Sequence, residues 1–317
     1  MTAVFKKFKA KKLILVCAIF NASADPALTP GEDYIAAGEP AVHIQTKNAE
    51  ITYNVEGLSR ELDDATLGFK PQLLVGAHFT IDTEIEVAGS GTAGTAPAYG
   101  GLLQTGAFSE TVTSGTDVVY NQLDDDSWPD STVYFYTAGR NHKLLNAHIN
   151  ISWTVSNGAI STYKITVTGV YGGVVAEAMP SPNFSQIKPV KVGNQYTTFT
   201  LDGIKYALVN YTNDQKSEVN YMDLPGYEGV SIDDIAPEGE IEILCPDHGD
   251  FDPFAIVRSE DDTYLALSCI HGTTAGNIVS FTNPEIQLLG VGYGEFEGKR
   301  TFKMPYGAVG KNAIKVA

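Results

Sequence analysis

The sequence predicts a mainly β fold: two tandem antiparallel β-sandwich or barrel domains, each with a short α-helix, behind an extended N-terminal arm. Three observations lead there. Apolar residues recur with period two along most of the chain, helical periodicity is confined to two short stretches, and the order strand, helix, hairpin, strand occurs twice. With 317 residues, 43% of them hydrophobic and 19% charged, the composition is that of an ordinary globular chain of about two domains.

The first twelve residues contain Lys6, Lys7, Lys9, Lys11 and Lys12 and no acid. The apolar run Leu13–Phe20 and the small residues Ala22-Ser23-Ala24 follow, so residues 1–24 read like a secretory signal. Sequons at Asn21, Asn150, Asn183 and Asn210 suit that reading. The preferred expectation is an arm over 1–34 that packs Leu13–Phe20 on another surface. This run is far shorter than the ~20 residues that span a bilayer.

In Phe79–Val87, Phe79, Ile81, Ile85 and Val87 share one face while Asp82, Glu84 and Glu86 take the other. Ala147–Val155 alternates likewise, Asn157-Gly158 supplies a turn, and Tyr163, Ile165 and Val167 resume the pattern as the second strand of a hairpin. Further strands are expected at Val133–Thr137, Tyr196–Leu201, Ile204–Tyr211, Glu240–Leu244, Thr263–Ile270, Asn277–Thr282, Ile286–Tyr293 and Lys299–Met304. The two short helices are Pro97–Ala107, with Tyr99, Leu102 and Leu103 as its apolar stripe, and Pro253–Ser259, capped by Asp252 with proline at its first position. The stretch holding Pro180, Pro182 and Pro189 lacks alternation and reads as a linker. Thr83–Val87 aligns with Gly239–Ile243, and Val170-Tyr171-Gly172 with Pro305-Tyr306-Gly307. The expected organisation is an arm over 1–34, a first domain over 35–176, a linker over 177–195 and a second domain over 196–317.

Lys+Arg 21 against Asp+Glu 38 gives a formal net charge of −17. With the five N-terminal lysines set aside, 16 basic residues face 38 acidic ones. Such a body is unsuited to gripping nucleic-acid phosphates or an anionic membrane surface, since both need clustered Lys and Arg. Cys17, Cys245 and Cys269 form neither a disulfide framework nor a zinc spacing.

Gly89-Ser90-Gly91-Thr92-Ala93-Gly94 matches the G-x-G-x-x-G dinucleotide pattern. That pattern works behind a buried parallel strand, whereas Asp82, Glu84 and Glu86 wet one face of this strand and would repel phosphate. A flexible loop of small residues is expected. Gly294–Arg300 has one residue too few between its glycines for a phosphate loop and reads as a turn between strands. There is no G-x-S-x-G or H-E-x-x-H, and the six histidines lack ligand spacing. Asp124-Asp125-Asp126 with Asp130, and Asp247 with Asp250 and Asp252, do not fit an EF-hand and read as solvated acidic loops. No catalytic residue, cofactor or metal is expected.

From Glu86 to Val112 the chain reads E-V-A-G-S-G-T-A-G-T-A-P-A-Y-G-G-L-L-Q-T-G-A-F-S-E-T-V, followed by Val119-Tyr120-Asn121 and Ser131-Thr132-Val133-Tyr134-Phe135-Tyr136. This order resembles the tail tube (major tail) proteins of long, non-contractile-tailed bacteriophages: an acidic strand, a G-S-G-x-A-G-x-A-P loop, an L-L-x-x-x-G-F helix end, then V-x-Y and S-x-T-hydrophobic-Y. Ala107 stands where that helix end has glycine. Pro237–Ile243, His271–Asn277 and Pro284–Leu288 echo the family's later strands, and Ala24–Gly31 its N-terminal arm.

The resemblance implies a structural virion protein, not an enzyme, whose rings stack into the hollow tube through which viral DNA leaves. It also implies a tape measure protein and tail terminator or distal tail proteins as partners, assembly in the bacterial host cytoplasm, and no membrane. Two tube domains per chain suggest a homotrimeric ring with pseudo-sixfold symmetry. Asp82, Glu84, Glu86, Glu240 and Glu242 are the candidates for lining the lumen, where carboxylates would keep DNA from sticking. Leu13, Ile14, Leu15, Val16, Leu58, Leu62 and Leu67 are the candidates for contacts with the neighbouring ring, expected as exposed apolar residues without a core of their own. The alternative is a secreted calcium- or carbohydrate-binding β-sandwich adhesin; a dehydrogenase using the glycine stretch is a third reading.

Overall fold

The computed structural model describes residues 8–20, 28–59, 71–125, 127–259, 261 and 263–317. Along the first half run β1 (Leu13–Ile19), α1 (Tyr34–Ala37), β2 (Val42–Ile44), β3 (Lys47–Leu58), β4 (Leu73–Glu86), α2 (Gly100–Thr105), β5 (Phe108–Thr113), β6 (Asp117–Gln122), β7 (Ser131–Thr137), β8 (Arg140–Ser156) and β9 (Thr162–Ala176). The second half holds β10 (Thr197–Leu201), β11 (Ile204–Lys205), β12 (Leu208–Asp214), β13 (Ser217–Leu224), β14 (Tyr227–Ile235), β15 (Glu238–Leu244), α3 (Pro253–Arg258), β16 (Leu265–His271), β17 (Val279–Leu288), β18 (Gly292–Phe296), β19 (Lys299–Ala308) and β20 (Ala313–Val316). The chain is therefore mainly β, as the period-two alternation requires, and its ladders are antiparallel.

The halves repeat one order of strand pairing. In the first it runs β2-β1-β7-β8-β9-β4-β3. In the second it runs β11-β10-β16-β17-β19-β15-β12. The long β8 corresponds to β17 and β18 together, because β18 continues along β19 after a break at Leu289–Val291. The segment 177–195 between the halves holds no strand; its β-type pairing is limited to isolated bridges at Phe184 and Lys191.

Two ladders join the halves. The end of β8 pairs with β12, from Ser156↔Asn210 to Asp214↔Ser152, and β6 pairs with β20. A single hydrophobic core runs under both, and Trp153 stacks on Phe281 at 5.2 Å across the join. Burying one face of each strand against this core is the principal stabilising term, and it acts on both halves at once.

The N-terminal expectation is corrected here. Leu13–Ile19 is not an arm reaching outward but β1, a strand held between β2 and β7. Its burial on both faces explains why the sequence shows an unbroken apolar run instead of alternation. Residues 21–27, with the signal-like Ala22-Ser23-Ala24, lie outside the described residues. The helix expected over Pro97–Ala107 shortens to α2, which ends where the Gly106 amide donates to the Leu103 carbonyl and Ala107 takes a φ of 66°. α3 matches its capping signal: Asp252 accepts from the amides of Phe254 and Ala255 at 3.1 and 3.2 Å. The strand expected over Ile204–Tyr211 is divided into β11 and β12, and the hairpin β13–β14 carried no signal strong enough to predict it.

Candidate functional site

The sheet β3-β4-β9-β8-β12-β15-β19-β18 has a dry face and a wet one. Ile81, Ile85, Tyr163, Ile165, Ile151, Trp153, Tyr211, Ile241 and Met304 are buried on the dry face. The wet face is traced by rows of directly paired residues. One row is Lys47, Glu84, Lys164, Ser152, Asp214, Glu238. The next is Glu86, Thr162, Thr154, Thr212, Glu240, Pro305. A third is Ser156, Asn210, Glu242, Lys303, Gly292.

Asp82, Glu84, Glu86, Glu240 and Glu242 thus share one face of one continuous sheet although they come from different halves of the chain. Directly paired residues point to the same side and i, i+2 residues keep it, so the register alone fixes this. Glu50, Asp214 and Glu238 join them, unpredicted; Glu50 pairs with Asp82. The only signal for these three in the sequence was membership of an acidic, alternating stretch. Lys47, Lys164 and Lys303 are the bases in the same rows.

Asp82, Glu84, Asp214 and Glu238 are each held by a side-chain partner. Thr166 Oγ1 donates to Asp82 Oδ1 at 2.7 Å, Lys47 Nζ lies 3.1 Å from Glu84 Oε2, and Lys216 Nζ lies 2.7 Å from Glu238 Oε1. The Glu238 carboxylate raises the Lys216 ammonium above its ordinary value. Asn150 Nδ2 donates to Asp214 Oδ1 at 3.1 Å across the join between the halves.

Glu242 departs from the expectation that it lines an open surface. It is only 9% exposed, Thr301 Oγ1 donates to its Oε1 at 2.6 Å, and Lys303 Nζ lies 3.9 Å from its Oε2. The side chain extends over β19 towards β18, and Gly294 leaves the room: a Cβ there would sit 2.8 Å from Glu242 Oε1 and 2.5 Å from Thr301 Oγ1. Buried carboxylates need such partners, because desolvating a lone charge is costly.

The ring-contact candidates separate. Leu13 packs against the core from its edge, while Ile14, Leu15 and Val16 are buried within the chain's own sheet, so none of the four matches the exposed, coreless residues expected. Leu58 is exposed at the end of β3. Leu62 and Leu67 lie outside the described residues.

The glycine stretch clasps backbone instead of remaining a free loop. The Gly91 amide donates to the Gly276 carbonyl at 2.9 Å, and the Gly89 amide to Asn277 Oδ1 at 2.9 Å. A Cβ on Gly89 would lie 2.0 Å from the Gly276 oxygen, so the two backbones leave no room for a side chain. Gly294–Arg300 forms the β18–β19 turn, with Glu297 and Gly298 both at positive φ. Asp130 is buried and accepts the Tyr34 hydroxyl at 2.8 Å, Asp124 pairs with Lys311 at 2.8 Å, and Asp252 caps α3. Among the described residues no three His, Cys, Asp or Glu side chains converge as a metal site. No described helix is long and apolar enough to cross a membrane. The chain matches no known protein family, and none of the curated proteins is a significant match.

Proposed function

We propose that this chain is a building block of a viral tail tube: a structural protein whose copies form rings, about three chains each with pseudo-sixfold symmetry, that stack around a channel for DNA. The observation that carries the reading is one continuous wet face crossing from one half of the chain to the other, with acids on β3, β4, β12 and β15 and small polar residues on the strands between them. An antiparallel sheet dry on one side and acidic on the other suits a channel wall. Its carboxylates repel phosphates, and within a bore narrower than a few Debye lengths, each ~10 Å at 0.1 M salt, that repulsion is weakly screened.

The repeated pairing order supports reading the halves as tandem tube-type domains, so that the two halves of one chain stand in the ring as neighbours do. Each outer edge of an open sheet is a site for pairing, and ring closure removes those edges. In this reading the main partner is another copy of the chain, a tape measure protein occupies the bore during assembly, terminator and distal tail proteins cap the tube, and DNA passes without specific binding. The protein resides in the virion after assembly in the host cytoplasm.

Negative-stain microscopy and native mass measurement test this together. The expected result is hollow rings or filaments with masses in multiples of three chains. A monomer at all concentrations and salt conditions overturns it.

A further inference from the structure

We propose that consecutive copies of this chain join through one defined seam, in which β18 of one copy pairs antiparallel with the Gln45–Lys47 segment of the next, Gly292 opposite Lys47 and Gly294 opposite Gln45. The inference rests on the tube reading and fixes which residues meet.

The template lies within the chain. Where the first half meets the second, β8 pairs with β12, with Thr154 opposite Thr212 and Ser156 opposite Asn210. The repeated pairing order carries this seam onto the outer edges. On the β8 side, Glu86 pairs with Thr162 and Thr162 with Thr154; in the second half Glu242 pairs with Lys303 and Lys303 with Gly292. Glu86 and Glu242 are equivalent in the aligned acidic strands, so Gly292 takes the place of Thr154. On the β12 side, Thr212 pairs with Glu240, and Lys47 pairs with the equivalent Glu84. Lys47 therefore takes the place of Thr212.

Neither edge carries a second ladder in the isolated chain, and among the described residues the Gln45 backbone, just before β3, is engaged only by the Gln186 side chain, which donates to its carbonyl and accepts from its amide. Among the described residues β18 has a ladder partner only in β19, and β3 only in β4. The β18 edge also has the character of a covered surface. Tyr293 is 63% exposed and leans on Phe254 and Phe302 at 5.7 and 5.5 Å, whereas Val155, its equivalent inside the chain, is fully buried. Gly292–Phe296 contains no lysine or proline to blunt it as an edge strand.

The seam is head-to-tail, so it generates a ring when its rotation closes. The register supplies the stagger that closure requires: across the join Glu86 is level with Glu240, two residues away from its equivalent Glu242. Six halves contributing four strands each make a barrel of roughly 24 strands; at about 4.8 Å per strand its backbone circle is about 37 Å across.

The test is a paired substitution, Lys47→Cys with Gly292→Cys, in a Cys245→Ser background; the remaining thiols, Cys17 and Cys269, are buried. A Cβ on Gly292 meets nothing nearer than the Lys303 oxygen at 3.8 Å, so the site accepts the change. Directly opposed strand residues lie within disulfide range. Mild oxidation is expected to give reducible covalent dimers and trimers on denaturing gels, absent from either single variant and from the pair Lys47→Cys/Tyr293→Cys, in which a one-residue slip points the thiol to the other face. Rings seen by microscopy with no such ladder, or with an equal ladder from the slipped pair, overturn the seam and leave the tube reading standing. Monomers alone overturn both. In the unsubstituted protein, hydrogen exchange at Gly292–Phe296 is expected to slow at least tenfold on assembly; unchanged exchange in assembled rings also overturns the seam.

Discussion

His148 sits in the core with Nδ1 3.3 Å from the Thr105 carbonyl oxygen, and His271 lies between Thr197 Oγ1 and the Val190 carbonyl oxygen at 2.9 and 3.2 Å. Burial lowers both imidazoles below the ordinary value of 6.5, and lowers His142 as well. A histidine depressed in the folded state is protonated more readily when unfolded. Its stabilising effect is therefore complete above pH 6.5 and is lost as pH falls through the lower folded value. The melting temperature is expected to drop between pH 7.5 and 5 and to drop less in His148→Gln, as followed by circular dichroism; an identical fall in the variant would refute the assignment. Asp33 acts in a separate window. Burial pushes its carboxyl up, but hydrogen bonds from Lys143, Tyr134 and the Ala36 amide outweigh this and hold it below 3.8, so its contribution persists until strongly acid pH. None of these positions was legible in the sequence as a pH-sensitive group, because the partners lie tens of residues away and only packing brings them together. The acidic alternation of Asp82, Glu84 and Glu86 was legible, because a strand with one wet face writes its period into neighbouring residues. That Glu242 is buried while Glu240 is half-exposed depends on its side chain meeting Thr301 and Lys303 of β19 beside the bare Gly294 of β18, which no local pattern records.

At the scale of elements, the clasp between the Gly89–Gly94 loop and the Thr274–Asn277 turn explains glycines that imitate a nucleotide motif. Gly276 has a φ of 81°, and a Cβ on it would stand 2.5 Å from the Gly91 carbonyl carbon. Gly276→Ala is expected to cost about 1–3 kcal/mol in urea unfolding. Gly249→Ala, which meets nothing within 4 Å, is expected to be near neutral. Equal effects of the two substitutions would remove the clasp argument. β1 shows how the same physics hides an element: a strand buried on both sides has no alternation, so it reads as an apolar run. The opposite holds for β13 and β14, whose residues are mostly exposed or part-exposed. Their hairpin lies across the first half, where Tyr221 stacks on His78 at 4.5 Å, a partner that sequence spacing gives no hint of. The two- and three-residue strands β11 and β2 are too short to carry a period at all.

For the whole molecule, the shared wet face makes a collective prediction. Converting Glu50, Asp82, Glu84, Glu86, Asp214, Glu238 and Glu240 to their amides leaves Lys47, Lys164 and Lys303 facing Glu242 alone in those rows. Assembled particles of this variant are expected to retain DNA in low-salt co-sedimentation and to release it as salt is raised, while the parent retains none. If the variant still assembles and DNA is excluded as before, the acids do not face a channel. What the sequence determined by itself was the class of fold, the position of most long strands, the places of α2 and α3 and the wet side of each acidic strand, because those follow from the local alternation of apolar and polar residues and, for α3, from its cap. Only the tertiary structure decided that the acids of both halves belong to one surface, that β1 is an inner strand and that the glycine loop is a joint. Each depends on pairing between segments about 25 to 190 residues apart, and the register of such pairings is set by burial and backbone hydrogen bonds that leave no periodic trace along the chain.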